Sequence, residues 1–320
     1  MVLTVTINPL LEKNLFFNDV SANNRAYKEE YTAGGKGINI SRQLNVLGIQ
    51  NHAITFLGGS KGKIIRSVLE KEQISFSPVS TKSETREATL IYDEKTKNLK
   101  TYFGVNSQIT SEEISQFISK MEKAITNSSI VVFSGSLPTK ESSIIIEKGI
   151  EFCNKNDTVS ILDSYGETLP DLIQLGPTAI HNNLNEIENS LKVKLESPDD
   201  FQDMLNKFYN YGINLAFITA GKKSTYASKA DFHYRVDNPK IEEINSTGSG
   251  DAFLSGIIYG LEKALIFNDF VKLGTALGAL NASRLEVCKV KLNEALDFAS
   301  HVSISEIGKK IKLIDDSPTI

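Results

Sequence analysis

Asn245-Ser-Thr-Gly-Ser-Gly-Asp-Ala-Phe-Leu-Ser-Gly256 is the stretch from which the rest of the chain can be read. Gly248 and Gly250 make a turn that runs straight into apolar residues at helical spacing, Phe253, Leu254, Ile257, Ile258 and Leu261. The first backbone N–H groups of a helix have no partner inside it, so this turn presents donors to an anion. Asp251 falls in the first helical turn, where the dipole favours an ionised carboxyl. An ionised carboxylate beside an anion site suits phosphoryl transfer. The amides of Gly248, Ser249 and Gly250 would hold the charge spreading over a migrating phosphoryl group, while Asp251 takes the proton from the attacking hydroxyl. The same string also serves as a plain helix cap, since short Gly/Ser/Asp runs start many helices.

A second glycine stretch, Ala33-Gly-Gly-Lys-Gly-Ile-Asn-Ile-Ser-Arg42, enters another helix-patterned segment, with Ile40, Leu44 and Leu47 as its apolar positions and Gly48 closing it. In this order the two stretches resemble the ribokinase and phosphofructokinase B family of sugar kinases, with its Gly-Gly motif near the N-terminus and G-x-G-D motif near the C-terminus. Thr4-Val-Thr-Ile-Asn-Pro9 and the Ala33 to Arg42 stretch look most like the branch holding 1-phosphofructokinase and tagatose-6-phosphate kinase. The resemblance implies a ribokinase-like, Rossmann-like α/β fold: a mostly parallel sheet sandwiched by helices, with a small β-sheet lid. It also implies one kinase domain over residues 1–320, with lid inserts at about 10–33 and 87–104.

The residues agree with that outline. Val2 to Ile7 is rich in β-branched residues and ends at Asn8-Pro9, a strand that stops at a site rim. Glu87 to Tyr92 and Leu99 to Phe103 form a hairpin pattern across a charged turn. Thr110-Ser-Glu-Glu113 has the form of a capping box that opens a helix. Ile130 to Phe133, Val159 to Leu162 and Leu215 to Thr219 are buried-strand runs between helical segments, which predicts a parallel sheet covered on both faces, with ligands at the strands' carboxyl ends. The residues after about Ile314 read as a loose tail.

Composition narrows the function. A net charge of −4 gives no general attraction to nucleic acid, and no apolar run is long enough to cross a bilayer. Cys153 and Cys288, with four histidines, suggest neither a zinc site nor a disulfide framework. The expectation is a cytoplasmic enzyme, monomeric or homodimeric, whose partners are a small sugar phosphate and ATP.

Carried over residue by residue, the resemblance makes Asp251 the catalytic base and puts Gly34, Gly35 and Asn39 against the sugar. It makes Lys36, Arg25 and Arg86 a clamp for the sugar's phosphate, a role for which arginine's bidentate fork is suited. Ser136 matches a serine near that phosphate. Asn183-Leu-Asn-Glu186 matches an N-x-x-E motif, with Asn183 on the nucleotide and Glu186 acting on Mg2+ through water; a helix cap with a first-turn glutamate would look identical. Thr219 and Gly221 resemble a nucleotide turn, and Asn281 is a candidate for the adenosine pocket. Three positions depart from the family. Glu12 replaces aspartate, His181-Asn-Asn183 replaces K-P-N, and Ser224 replaces a second glycine. The expected reaction is ATP-dependent, Mg2+-requiring phosphorylation of fructose 1-phosphate or tagatose 6-phosphate. The alternatives are a kinase for an unphosphorylated sugar or nucleoside, and a sugar-phosphate sensor without turnover.

Overall fold

The computed structural model describes residues 1–22 and 24–307, so the tail after Ile314 lies outside the described residues. The chain begins with β1 (Val2–Thr6), β2 (Leu10–Phe17) and β3 (Lys28–Gly34), then α1 (Lys36–Val46), β4 (Asn51–Gly58), α2 (Gly59–Lys71) and β5 (Phe76–Thr81). It continues through β6 (Arg86–Asp93), β7 (Asn98–Phe103), α3 (Ser111–Ile125), β8 (Ile130–Gly135), α4 (Ser143–Lys155) and β9 (Val159–Ser164). Next come α5 (Leu169–Ile173), β10 (Ala179–Asn183), α6 (Leu184–Leu191), α7 (Pro198–Asn210), β11 (Leu215–Thr219), β12 (Ser224–Lys229) and β13 (Phe232–Asp237). The last elements are α8 (Ser249–Glu262), α9 (Phe267–Ala282), α10 (Leu292–Ala299) and β14 (Ser303–Ile307).

The main sheet has the order β14-β13-β12-β11-β10-β9-β8-β1-β4-β5. From β5 to β11 every neighbouring pair is parallel, whereas β12, β13 and β14 extend the sheet in antiparallel fashion. Successive residues of β8 point to opposite faces. Val131 and Phe133 join the core under α3, α4 and α7, while Ile130 and Val132 join the core under α1, α8 and α9. Two apolar cores therefore sandwich the sheet, as the continuous strand runs require.

The lid is a separate sheet, ordered β3-β2-β6-β7. It is rooted where β1 ends: Leu10 pairs with Gly34 on one side and with Arg86 on the other. It has its own small cluster of Leu10, Ala88 and Leu90 with Leu99 against it. The Thr110–Glu113 capping box forms with both reciprocal hydrogen bonds. Among the described residues no helix is long and apolar enough to cross a membrane.

Candidate active site

The Asn245 to Gly256 stretch folds as a left-handed turn opening α8. Gly248 is the N-cap at φ 73°, a conformation open to glycine at little cost, and a Cβ there would lie 2.4 Å from Val287. The amide of Ser249 donates to Ser246 O at 3.1 Å, so it is spent on closing the turn. Among the described residues the amides of Gly248 and Gly250 donate to no protein acceptor, so two of the three expected donors are free. Asn281 braces the turn from behind. Its amide donates to Thr247 O (2.8 Å) and Ser249 Oγ (3.1 Å), and its carbonyl accepts from Cys288 N (2.7 Å). With every polar group so engaged and the side chain fully buried, Asn281 supports the turn and does not face the adenosine pocket expected of it.

Asp251 is 4% exposed and accepts from Asn39 Nδ2 at 2.8 Å. Burial is the main cause that pushes its pKa up to about 7; the nearby charge of Asp163 adds to this, and Lys36 and the Asn39 hydrogen bond oppose it. A carboxylate tuned near neutrality is what a general base at cellular pH needs. Asn39 meets Asp251 through a fixed amide, because Arg42 Nη1 donates to Asn39 Oδ1 at 2.7 Å and so turns the NH2 towards Asp251. Arg42 is held in turn by Ala33 O (2.7 Å) and both oxygens of Glu72 (3.1 and 2.9 Å). Asn39 thus orients the Asp251 carboxyl while lining the same cavity.

The two glycines before α1 make room for protein atoms. A Cβ on Gly34 would sit 2.4 Å from Glu12 Oε1, and Gly35 (φ 119°) faces Thr6 at 2.8 Å. Glu12 lies on β2, accepts from Thr32 Oγ1 at 2.8 Å, and has its pKa raised by burial against the opposing effects of Thr32, Arg42 and Arg86.

The expected phosphate clamp is divided. Arg86, at the start of β6, donates to Asn8 O (2.9 Å) and Asn106 Oδ1 (3.3 Å), and its buried Nε has no partner. Asn8 Nδ2 donates to Ser136 Oγ at 3.0 Å, so Asn8, Arg86, Asn106 and Ser136 form one polar cluster at the root of the lid. Arg25 is not among them. It lies exposed in the β2–β3 connection, beyond the Phe16–Lys28 pair and six residues along the strand from the Leu10–Gly34 pair, about 20 Å away. Lys36 also turns elsewhere: its Nζ lies 2.8 Å from Glu186 Oε1 and 3.0 Å from Asp163 Oδ1. Burial alone would lower its pKa, yet Asp163, Glu186 and Asp251 hold it well above the usual lysine range.

Asp163 is the residue that sequence reading missed. It is fully buried at the end of β9, and its Oδ1 also accepts from His181 Nδ1 at 3.0 Å. Burial would raise its pKa, but Lys36 and His181 bring it below the usual range. His181, at one of the positions departing from the family, is stacked on Phe253 with ring centroids 5.3 Å apart. Asn183 and Glu186 form a reciprocal capping box on α6, and Glu186 Oε1 still reaches Lys36, so the cap and the site share one glutamate.

A cavity of about 840 Å³ opens beside these groups, lined by His181, Asn183, Thr219, Gly221 and the Gly248–Asp251 turn, with Thr275, Gly278 and Ala279 of α9 as its small-residue wall. Gly221 adopts φ 59°. Ser224 points away into a local network with Arg235 and Asp237. Among the described residues no cluster of three or more acidic, histidine or cysteine side chains forms a ready metal cage. Asp163 Oδ2 and Asn182 Oδ1 are nonetheless buried oxygens without partners, and Asn182 Nδ2 donates to Glu186 Oε2 at 3.5 Å. Oxygen donors of this kind fit Mg2+, which takes few protein ligands beside water and phosphate oxygens.

Comparison with known proteins agrees with the geometry. A solved protein described as a possible 1-phosphofructokinase from Thermotoga maritima is similar at a TM-score of 0.87 and 25% identity, covering 96% of this chain and 100% of its own. Escherichia coli phosphofructokinase-2 is similar in its potassium complex (TM-score 0.86, 21% identity) and in its fructose-6-phosphate complex (0.80, 22%), each covering 94% of this chain and 98% of its own. The family model for pfkB family carbohydrate kinases matches residues 6–293, from the end of β1 to α10, so that lid, glycine turn and buried aspartate all fall inside one match; the chain belongs to the pfkB family of carbohydrate kinases.

Proposed function

We propose that this protein is a one-domain, ATP-dependent, Mg2+-requiring kinase that transfers the γ-phosphoryl group to a primary hydroxyl of a phosphorylated ketohexose. The leading acceptors are fructose 1-phosphate and tagatose 6-phosphate, and the products are the sugar bisphosphate and ADP. The observation that carries this reading is the position of Asp251. A carboxylate with its pKa near 7 sits in the first turn of α8, on the wall of the large cavity and held by Asn39. Asp251 takes the proton of the acceptor hydroxyl as that oxygen bonds to phosphorus, while the Gly248 and Gly250 amides face the charge on the moving group. Mg2+, when bound with the nucleotide, neutralises phosphate charge. The lid closes over the Asn8, Arg86 and Ser136 cluster and keeps water from competing as acceptor. A cytoplasmic setting and a monomeric or homodimeric state belong to the same proposal.

A second reading, transfer to an unphosphorylated sugar, has one observation in its favour: of three cations expected around the sugar's phosphate, Arg86 alone stands at the root of the lid. Coupled ADP release, measured over sugar phosphates and matched free sugars, tests both. Fructose 1-phosphate or tagatose 6-phosphate should give the highest kcat/KM. Equal rates with the free sugars would favour the second reading, and no ADP release from any acceptor would remove both.

A further inference from the structure

Lys36 presents a discrepancy that the reaction does not explain. Its ammonium faces two carboxylates brought together from β9 and α6, Asp163 Oδ1 at 3.0 Å and Glu186 Oε1 at 2.8 Å, on the nucleotide side of the site. Both oxygens converge on one point, which Lys36 Nζ holds. An ammonium is a poor occupant, because it offers three donors and leaves Asp163 Oδ2 and Asn182 Oδ1 buried without partners. A divalent ion with six oxygen ligands would engage more of them. With Asp251 nearby, three carboxylates face one ammonium, so the group retains net negative charge. The stem of Lys36 has four rotatable bonds and starts from the first residue of α1. Its Nζ lies 5.0 Å from the ring centroid of Tyr165, a side chain that also lies near Arg86.

We infer that Lys36 is a resident counter-cation for the metal-binding carboxylates, held in the divalent ion's place and released past Tyr165 towards Arg86 when that ion arrives. The inference rests on the kinase reading and deepens it. Lys36 would then keep buried carboxylates paired between turnovers and complete the phosphate clamp only once the metal is present, so that the nucleotide and sugar halves of the site are set in order.

The test uses Mn2+ as the probe, titrated into the full-length protein without nucleotide and followed by the loss of the free-ion resonance. Lys36→Met should bind Mn2+ at least tenfold more tightly than the wild type, since no ammonium has to leave. Lys222→Met, which removes a charge from the same cavity but not from these carboxylates, should bind as the wild type does. Equal affinity in Lys36→Met and wild type would overturn the inference, as would an equal gain in Lys222→Met. Should Lys36→Met fail to fold, the wild type still decides the question: acetic anhydride should label Lys36 several-fold faster with saturating Mn2+ than without it, and an unchanged rate overturns the inference. An absence of Mn2+ binding in every protein overturns it too, while the kinase reading stands or falls separately on ADP release.

Discussion

At the residue scale, the site depends on how Asp251 is kept both buried and basic. Desolvation raises its pKa, and Asn39 and Lys36 hold it down near 7. The acceptor's proton can move only to the ionised carboxylate, so kcat/KM should fall about tenfold per pH unit below roughly 7, and a plot flat between pH 5 and 7 would contradict the assignment. Asp251→Asn should lower turnover by roughly a hundredfold to ten-thousandfold. The linkage sign gives an independent check. Because the folded pKa lies above the unfolded value of 3.8, the native state holds the extra proton between the two, and the carboxylate opposes folding once ionised above about 7. Asp251→Asn should therefore unfold at a higher denaturant concentration than the wild type at pH 8, and lose that advantage below pH 4. Arg86 is the other decisive residue. Arg86→Ala should raise KM for a sugar phosphate by an amount equivalent to about 1.5 to 3 kcal/mol, the range for a hydrogen bond to a charged group, and leave KM for ATP unchanged. Equal losses on both substrates would make it a support of the lid alone.

At the element scale, the close approach of α8 and α9 sets where Asp251 stands. A Cβ on Gly256 would lie 2.5 Å from Gly274 Cα, and one on Gly274 would lie 2.8 Å from Phe253 O. Gly274→Ala gains up to about 1 kcal/mol in helix propensity, yet overpacking costs typically 1–3 kcal/mol, so a net loss is expected. Since α9 lines the cavity with Thr275 and Gly278, KM for ATP should rise with the fall in Tm; a variant unchanged in both would show that the helices have slack. This contact was invisible in the sequence, where glycines inside helical patterns do not reveal what they approach. Features set by local chemistry were legible, among them the Thr110–Glu113 capping box and the strand Leu215–Thr219. Asp163 was not, because Leu162-Asp163-Ser164 reads as an ordinary strand end and Lys36, its ion partner, is 127 positions away. Asn281 was misplaced for a similar reason: its matched position gives no sign of whether an amide faces a ligand or the back of a turn.

At the scale of the whole molecule, the sheet order brings the ends of β1, β8, β9 and β10 together, which is why residues from Asn8 to Asp251 meet in one place. The lid is tied to this body at Leu11 and Ala33, which pack with Ile38, Ala53, Leu57 and Ile65, whereas Leu10, Ala88 and Leu90 form a cluster distinct from that one and from the two cores that sandwich the sheet. Separate clusters permit separate opening. Leu90→Ala removes a side chain only 5% exposed, a change that costs on the order of 2 to 5 kcal/mol in a packed core. The loss should remain in the lid: amide exchange should quicken across 86–103 while the strands of the main sheet stay protected and Tm moves little. A loosened lid admits water to the transferring phosphoryl group, so ATP hydrolysis should rise relative to sugar phosphorylation, with KM for the sugar phosphate rising and KM for ATP holding steady. If Leu90→Ala instead lowers protection throughout the main sheet, lid and core unfold as one unit, and closure would need the whole molecule to move.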